Sequence, residues 1–537
     1  MSFKHFEYSR RDFLKFLGSS AIATSSFPLL SNCTSTNANT AGAKSYYSSL
    51  GSLSMLPPSR EDKLGLIPEL KYQLLLSSFT SINKKNELFG FNCDYTAFIP
   101  LKGDKNEGIL WVNHESPPPA IYFNQSTSTK PSKDRINKEM ESVGGSLIHL
   151  KKNILNNWDI VIDSPYNRRL SGNSPIPFAA DSVVHGSSKS IGTMGNCAGG
   201  ITPWGTFLSC EENTDDYFGT VELKKNGEIK RTPSKYYQWD LYFDRPAEHY
   251  GWVLEIDPLT GSAKKHLSMG RFAHECATTI EVADGRCVVY LADDAEEEHL
   301  YKFISHKKGF LETGDLYVAD LTKGKWLSLD LKKSPELQKV FKTNIDILTH
   351  TRVAAKIMGA TPLDRPEDIE IDPRSGAVYV TLTNNKKRNN YFGKILKIEE
   401  DKNDHTSMTF KASDFLIGGE TSGIACPDNL CFDPSGHLWI TNDISSSALN
   451  SDPYKKFANN GLYFVPLNGK NAGVPIQIAS APVGAELTGP SFSPDGSSLF
   501  LSVQHPGEGS ILEKGYTSTW PTGVKPLPSI VVISSNH

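Results

Sequence analysis

The sequence predicts an all-β fold, a six-bladed β-propeller decorated with inserted loops and short helices. Two observations predict it. A turn containing Pro and Gly recurs along the chain, and six short apolar strands each run into carboxylate, amide or imidazole side chains. Because the blades of a propeller are meandering antiparallel sheets around a central channel, both patterns should repeat from blade to blade.

The recurring turn places proline early and glycine at its end. Proline presets the backbone for the turn, and glycine adopts the positive φ that closes a hairpin. A short apolar or alternating strand follows most of these turns, so they indicate consecutive hairpins. The turns lie at residues 257–261, 372–376, 433–436 and 493–496.

Six strands have polar ends, and these ends predict where the site lies. They are Asn113-His114-Glu115, Glu211-Glu212-Asn213, Asp293-Asp294, Asn384-Asn385, Asn442-Asp443 and Gln504-His505. One such ending is an ordinary turn signal, since Asn and Asp favour turns. Because inner strands converge at one mouth of a propeller channel, we expect all six endings to belong to inner strands and to meet there.

Two regions stand apart from the strands. Residues 346–360 have helical spacing, and we expect one helix that packs on the rim of the propeller. Residues 1–33 carry Arg10-Arg11 before a short, Ser-rich apolar stretch, which predicts a twin-arginine export signal. Residues 34–58 read as a flexible tether and residues 59–537 as a single propeller domain.

The N-terminal signal predicts a partner and a location. The twin-arginine export machinery is the expected partner, and the mature protein is expected to be periplasmic or extracellular. Cys33 follows Leu30-Ser31-Asn32, which resembles a lipoprotein cleavage box and offers a membrane tether as one alternative. The stretch before it is too short to span a membrane.

Composition narrows the class of partners further. The formal net charge of −4 argues against nucleic acid as the main partner. Eight cysteines in 537 residues are too few for a disulfide scaffold. We expect a monomer. Five cysteines stay open between pairing and burial: Cys210, Cys276, Cys287, Cys426 and Cys431.

Converging acidic side chains predict bound cations. Carboxylates that meet in a channel raise one another's pKa unless a cation compensates, and their oxygens suit Ca²⁺. Cys197 lies in a Gly-rich turn before Glu211-Glu212, where it could be a thiolate ligand to a softer metal or simply a small buried cysteine. Arg365, two residues before Glu367, could be a fork for phosphate or part of a surface turn.

These segments together resemble the PhoX-type alkaline phosphatases. The resemblance covers residues 89–507 and rests on a series of motifs that follow one another in the order of that family. The motifs are Phe89-Gly90-Phe91-Asn92-Cys93-Asp94, Val112-Asn113-His114-Glu115, the block 195–213, residues 251–258, 270–275, 293–303 and 359–367, Pro427-Asp428-Asn429, residues 486–490 and 504–508.

The resemblance implies an exported phosphomonoesterase that releases inorganic phosphate from small organic phosphate esters. It implies two Fe³⁺ ions joined by an oxo group, several Ca²⁺ ions, and attack on phosphorus by a metal-bound oxygen. Arg365, Glu367 and Asn113 are the predicted catalytic residues, with Arg365 on the phosphate. The implied metal ligands are Cys197 on the iron pair, Glu211 or Glu212, Glu275, Glu367, Asp94, Glu115, Asp293, Asp428 and Asn429.

Two alternatives stay open at the level of sequence. A calcium-dependent propeller lactonase or esterase would need no iron, so Cys197 would be dispensable. A non-enzymatic binding propeller stabilised by calcium would need no Arg365 at the channel mouth.

Overall fold

The structure, a computed structural model, describes residues 55–224, 227–469 and 471–536. The predicted export signal, Cys33 and most of the predicted tether lie outside the described residues. Leu56 already packs on the propeller, where its backbone N–H donates to the carbonyl of Gln477 (2.9 Å). Contacts with the propeller therefore begin before the predicted boundary at residue 59.

Strands account for most of the regular structure, in chain order as follows. Two strands, β1 (Gly65–Leu66) and β2 (Leu70–Ser77), precede the first blade. Blade one holds β3 (Cys93–Pro100), β4 (Glu107–His114), β5 (Gly144–Lys152), β6 (Trp158–Ile160) and β7 (Arg168–Leu170). A hairpin of β8 (Pro175–Pro177) and β9 (Lys189–Ile191) follows.

Blade two holds β10 (Asn196–Ile201) and β11 (Phe207–Glu211), then β14 (Val253–Ile256) and β15 (Ala263–His266), with an inserted hairpin of β12 (Thr220–Leu223) and β13 (Ile229–Thr232). Blade three holds β16 (His274–Glu281), β17 (Arg286–Asp293), β18 (Leu300–Lys308), β19 (Gly314–Asp320) and β20 (Lys325–Ser328).

Blade four holds β21 (Pro366–Ile371), β22 (Val378–Leu382), β23 (Lys394–Glu400) and β24 (Phe410–Ile417). Blade five holds β25 (Pro427–Phe432), β26 (Leu438–Asn442), β27 (Gly461–Val465) and β28 (Ile476–Ser480). Blade six holds β29 (Glu486–Phe492), β30 (Leu499–Gln504) and β31 (Ser529–Ser535).

The first strand of each blade lines the channel, and the six inner strands form a closed ring. β3 packs on β10, and the contacts continue through β16, β21, β25 and β29 back to β3. The N-terminal strands complete the circle, because β2 pairs with β31 and β1 pairs with β28. The predicted all-β, six-bladed propeller is confirmed within the described residues.

The hydrophobic core is divided among the interfaces between neighbouring blades. Trp111 of blade one packs with Phe207 of blade two, and Trp439 of blade five packs with Leu501 of blade six. Similar clusters fill the other four interfaces. Since burial of apolar surface stabilises at roughly 25 cal/mol per Å², these clusters hold the blades against one another and fix the channel they surround.

Helices decorate the propeller, and the predicted helix at residues 346–360 is divided. The helices are α1 (Lys133–Ser142), α2 (Asp215–Phe218), α3 (Pro335–Gln338), α4 (Asn344–Thr349) and α5 (Thr351–Met358). His350 leaves the helical region between the last two (φ −119°, ψ 44°). The carbonyl of Leu348 there accepts from the Arg271 N–H and the Thr351 hydroxyl, each at 2.8 Å. The rim position was right, but the prediction of one continuous helix was wrong.

The described cysteines are all free thiols, which settles the open alternative of pairing or burial. Cys210, Cys276, Cys287 and Cys426 are buried, and Cys431 is partly buried. In the part of the chain that the structure describes, no helix combines the length and the apolar content that a membrane crossing needs.

Candidate active site

Five inner strands place a metal-ligand type of side chain at their second residue. These residues are Asp94, Cys197, Glu275, Glu367 and Asp428, at the starts of β3, β10, β16, β21 and β25. Because the inner strands lie around one channel, the same position in each blade brings the five side chains to the same mouth. We call them the inner group.

A shared irregularity of the backbone turns the inner group toward the channel. In each of these strands the pairing with the next strand is lost directly after the first residue and resumes three residues on, as between His274 and Ala277. Such a bulge re-aims the side chain it carries. In four blades the residue before the strand is left-handed: Asn92 (φ 50°), Gly195 (60°), Arg365 (54°) and Cys426 (53°).

The second strand of five blades supplies a further group at the same mouth. The residue that directly follows the strand is Glu115, Glu212, Asp294, Asp443 or His505 in five of the blades, and each lines the channel cavity. We call these the outer group. The prediction that the six polar endings belong to inner strands was therefore wrong: they belong to the second strands, and the inner strands contribute their beginnings instead.

The alternation of strand side chains separates neighbouring carboxylates at these ends. Successive side chains point to opposite faces of a strand, so Glu212 faces the cavity and Glu211 faces away. Glu211 is buried against Lys265 (2.7 Å) and accepts the backbone N–H groups of Gly251 and Trp252. Of the two alternatives, Glu212 is thus the one placed to hold a metal.

Asp293 and Asp294 divide in the same way. Arg352 holds the buried Asp293 carboxylate (Nε–Oδ2 2.9 Å), while Asp294 lines the cavity. Asp293 is therefore placed outside the lining of the cavity, and a ligand role for it stays a prediction.

The pairing of Lys265 with Glu211 leads to a test of stability. Both side chains are fully buried, so Lys265→Met leaves a buried carboxylate without its cation and is expected to cost about 3–5 kcal/mol of unfolding free energy. The control is Lys264→Met, a half-exposed lysine one residue earlier, which should cost about 1 kcal/mol or less. Thermal unfolding followed by circular dichroism measures both, and equal small shifts would show that Glu211 is solvated or held by other groups.

Asn113 lies behind the cavity and joins two blades. Its amide donates to the carbonyls of Cys197 (2.6 Å) and Ala198 (2.9 Å), and its oxygen accepts from Trp111 and Ser209, each at 2.7 Å. The side chain therefore positions the strand that carries Cys197. A catalytic role for Asn113 itself stays a prediction.

Asn429 also lies beside the site and outside its lining. Its amide donates to Asp428 (3.2 Å), and its oxygen accepts from the Gly489 N–H (2.7 Å). Asn429 is thus placed to orient the Asp428 carboxylate from outside the cavity.

The inner and outer groups enclose a cavity of about 260 Å³. Two sets of ligand atoms lie close together there: those of Cys197, Glu212 and Glu275, and those of Glu275, Glu367 and Asp428, each set within 4.8 Å of one another. The Cys197 thiol lies 3.3 Å from Glu275 Oε1. Thr488 donates to Asp94 (2.5 Å) and Gln504 to Glu115 (2.6 Å), so these two carboxylates have fixed positions.

Burial and mutual repulsion oppose ionisation throughout the cavity. Burial raises the pKa of Glu367 to about 8 even though Arg365 lowers it, and burial with the Glu115 charge raises the pKa of Asp94 to about 8. Burial and neighbouring carboxylates hold the pKa of Glu212, Glu275, Asp428 and Glu486 well above the usual range. Such a cluster is expected to ionise fully only when cations offset the repulsion.

Arg365 is the cation that faces this cluster. It donates to Asp294 through Nε (2.9 Å) and Nη2 (2.7 Å), and Nη2 also contacts Glu367 (2.7 Å). The bonds found among the described residues use Nε and Nη2, so Nη1 is the group left for an oxyanion. The left-handed backbone at Arg365 costs of order 1 kcal/mol and aims this side chain across the cavity.

Several residues of the site were not among the predicted ligands. Asp294, Asp443 and His505 stood in the polar strand endings, but nothing in the sequence distinguished them from their neighbours. The lining of the cavity also includes Glu486, Glu508, Asp216, Tyr236 and Tyr237. Burial lowers the pKa of His505, but Glu508 and Glu486 outweigh it and raise that pKa well above its usual range.

The residues present fit a metal centre with both hard and soft ligands. Carboxylate oxygens suit calcium or iron, and a thiolate selects a softer or redox-active metal. Within the described residues, Glu275 Oε2 and Glu486 Oε2 are buried without a hydrogen-bond partner. Buried polar atoms ordinarily have hydrogen-bond partners, so these two oxygens indicate that a bound ligand such as a cation supplies the missing contact.

Fold and site together define a propeller of the kind found in enzymes. Its channel mouth carries clustered acidic residues suited to metal ions and an arginine suited to phosphate. The chain belongs to the alkaline phosphatase PhoX family, whose model matches residues 67–507. It is a phosphatase, and the match decides against both the calcium-dependent lactonase and the non-enzymatic binding propeller.

Among solved structures, Pseudomonas fluorescens PhoX in complex with vanadate, a transition-state analogue, is similar to this chain. It has 30% identity and a TM-score of 0.80, and the match covers 90% of this chain and 98% of that one. A Dyadobacter fermentans protein of unknown function is 10% identical with a TM-score of 0.40, covering 87% of this chain and all (100%) of its own, and is too distant to support an argument. No curated protein matches this chain.

Proposed function

We propose that this protein is an exported phosphomonoesterase that releases inorganic phosphate from organic phosphate esters at a cluster of two Fe³⁺ and several Ca²⁺ ions. One observation carries the proposal: a thiol, a ring of carboxylates and an arginine fork share one small cavity. A vanadate complex of Pseudomonas fluorescens PhoX, 30% identical over most of this chain, supports it.

The residues of the cavity have two proposed roles: most would bind the metal ions, and Arg365 would orient the phosphate. Cys197, Glu212 and Glu275 would hold the iron pair, and Glu367, Asp428, Asp94 and Glu115 would complete the sites for iron or calcium. When bound, the metals supply the positive charge and Lewis acidity that phosphoryl transfer needs. Arg365 would present Nη1 to the phosphate oxygens and orient the group for displacement, because Asp294 and Glu367 hold Nε and Nη2.

A phosphatase with this cavity does not need a side-chain nucleophile, and Cys197 is poorly suited to be one. The Cys197 thiol donates to the Glu275 carboxylate, and burial together with the nearby carboxylates holds the pKa of the thiol well above its usual range. A thiol in that state is a poor nucleophile by itself, whereas a ligand role would place a positive charge beside it and stabilise the thiolate.

Export is the second part of the proposal. Arg10-Arg11 at the head of a short apolar stretch supports passage through the twin-arginine machinery to the periplasm or the cell exterior, with Cys33 as the proposed lipid attachment point. Folding before export would let the cluster assemble in the cytoplasm, where the ligands of five different blades must first be brought together.

Phosphate release from glycerol 2-phosphate tests the proposal. Purified protein in millimolar calcium should release phosphate, and a calcium chelator should lower the rate at least ~100-fold, since several kcal/mol of charge stabilisation depend on the metals. Added calcium should restore the rate. A protein that releases no phosphate in calcium, or whose rate is indifferent to the chelator, would contradict the proposal.

A further inference from the structure

An aromatic ladder rises from the core to the rim of the catalytic cavity. Trp239 is fully buried and packs edge-on against Tyr217 (ring centroids 4.5 Å apart), and Tyr217 stacks on Tyr237 (4.7 Å, 29° between planes). Tyr236 meets Tyr237 edge to face (4.8 Å, 89°). The ladder ends at Tyr236, whose surface is 70% exposed.

The ladder is fixed to the site as well as to the core. The Tyr217 hydroxyl donates to the carbonyl of Glu115 (2.7 Å), a member of the outer group. The backbone N–H of Tyr237 donates to the carbonyl of Asp216 (2.9 Å), and the Ser234 hydroxyl donates to the same oxygen. The positions of Tyr217 and Tyr237 are therefore set by residues that form the cavity.

Tyr236 and Tyr237 line the same cavity as Cys197 and Arg365. The cavity is small, about 260 Å³, and its floor is taken by the groups that hold metals and phosphate. The leaving group of a phosphate ester bound there must project past the rim. An exposed tyrosine whose ring is held by a buried stack offers that group a flat apolar face.

The charges at the rim restrict which leaving groups can use this face. Asp216 and Glu508 line the cavity near Tyr236, and both are carboxylates. They repel an anionic leaving group such as a further phosphate. A neutral ring is not repelled and can pack on the tyrosine. Stacked and edge-to-face ring pairs contribute beyond the apolar area they bury.

We propose that Tyr236, supported by Tyr237 and Tyr217, forms a subsite for phosphate monoesters whose leaving group carries a neutral flat ring. This inference rests on the proposed phosphomonoesterase function and adds a substrate preference to it. The subsite acts on the leaving group alone, so it should leave the handling of phosphate and metals unchanged.

Two substrates that differ by one ring test the subsite: benzyl phosphate and ethyl phosphate, with the metal-loaded protein in calcium. Tyr236→Ala should lower kcat/KM for benzyl phosphate by roughly 3- to 10-fold, and Tyr236→Phe should keep the full value because the ring remains. Ethyl phosphate should change less than about two-fold in both variants, since its leaving group has no ring to stack. Tyr242→Ala is the matched control, because Tyr242 is 42% exposed on the same segment and lies outside the cavity lining.

An equal fall for both substrates in Tyr236→Ala, or no fall for benzyl phosphate, would overturn the subsite. A loss in Tyr236→Phe as large as in Tyr236→Ala would overturn it too, because the hydroxyl rather than the ring would then matter. The proposed function fails on a different result: unaltered protein that releases phosphate from neither substrate.

Discussion

Replacing Cys197 with serine is expected to abolish iron binding and to lower phosphate release to background, while the propeller stays folded. The thiol is the soft ligand in a set that is otherwise carboxylate, and a serine hydroxyl at the same place is a weak ligand for iron. Its side chain faces the cavity, so its loss removes little packing from the interfaces between blades. Iron content, phosphate release and circular dichroism are the measurements.

A second cysteine on an inner strand gives the control. Cys431 lies on β25 and lines the opposite end of the channel, beside Asn429 and Leu430 and away from the cavity with Arg365. Cys431→Ser should keep iron and activity within about three-fold of the unaltered protein, because this thiol lies outside the cavity that holds the proposed metal ligands. A Cys197→Ser variant with full activity and normal iron would refute the assignment of Cys197 as the thiolate ligand.

Arg365→Ala is expected to lower kcat/KM by about 10³-fold or more with metals retained, as the loss of an arginine that stabilises a transferring phosphoryl group does. The Arg365 guanidinium would supply positive charge to the phosphate and fix its orientation. Asp294 keeps the guanidinium in place. Alanine meets the same left-handed backbone as arginine, so the substitution removes the guanidinium without relieving the strain at this residue.

The matched control for that change is Arg374→Ala. Arg374 lies in the turn of the same blade at the far end from the cavity, where it pairs with Asp372 (3.5 Å). It should leave kcat/KM within about two-fold, since exposed pairs contribute little. Loss of metal in Arg365→Ala would show that this arginine supports the cluster itself, and an unchanged kcat/KM would exclude it from the phosphate.

The fold could be predicted because its signals are local. Turn chemistry and short apolar strands repeat along the chain, and six polar strand ends gave the number of blades. The strand that carries each end could not be predicted in the same way. Whether a strand lies innermost depends on which hairpin faces the channel, and that is decided by packing between blades far apart in sequence.

The site was predicted residue by residue with uneven success for a related reason. Cys197, Glu212, Glu275, Glu367 and Asp428 come together as expected, since each stands in a recognisable motif. Glu211 and Asp293 do not, because a shift of one residue along a strand changes the face. For the inner group, bulges after the first residue of each inner strand aim the side chains, and composition carries no trace of these bulges.

The most direct test of the iron–calcium centre is the elemental content of the purified, active protein, measured by mass spectrometry beside its phosphate release. Both iron and calcium should accompany the protein, and iron should be lost in Cys197→Ser while the fold is kept. Active protein that contains calcium but no iron, or iron that persists in the serine variant, would contradict it.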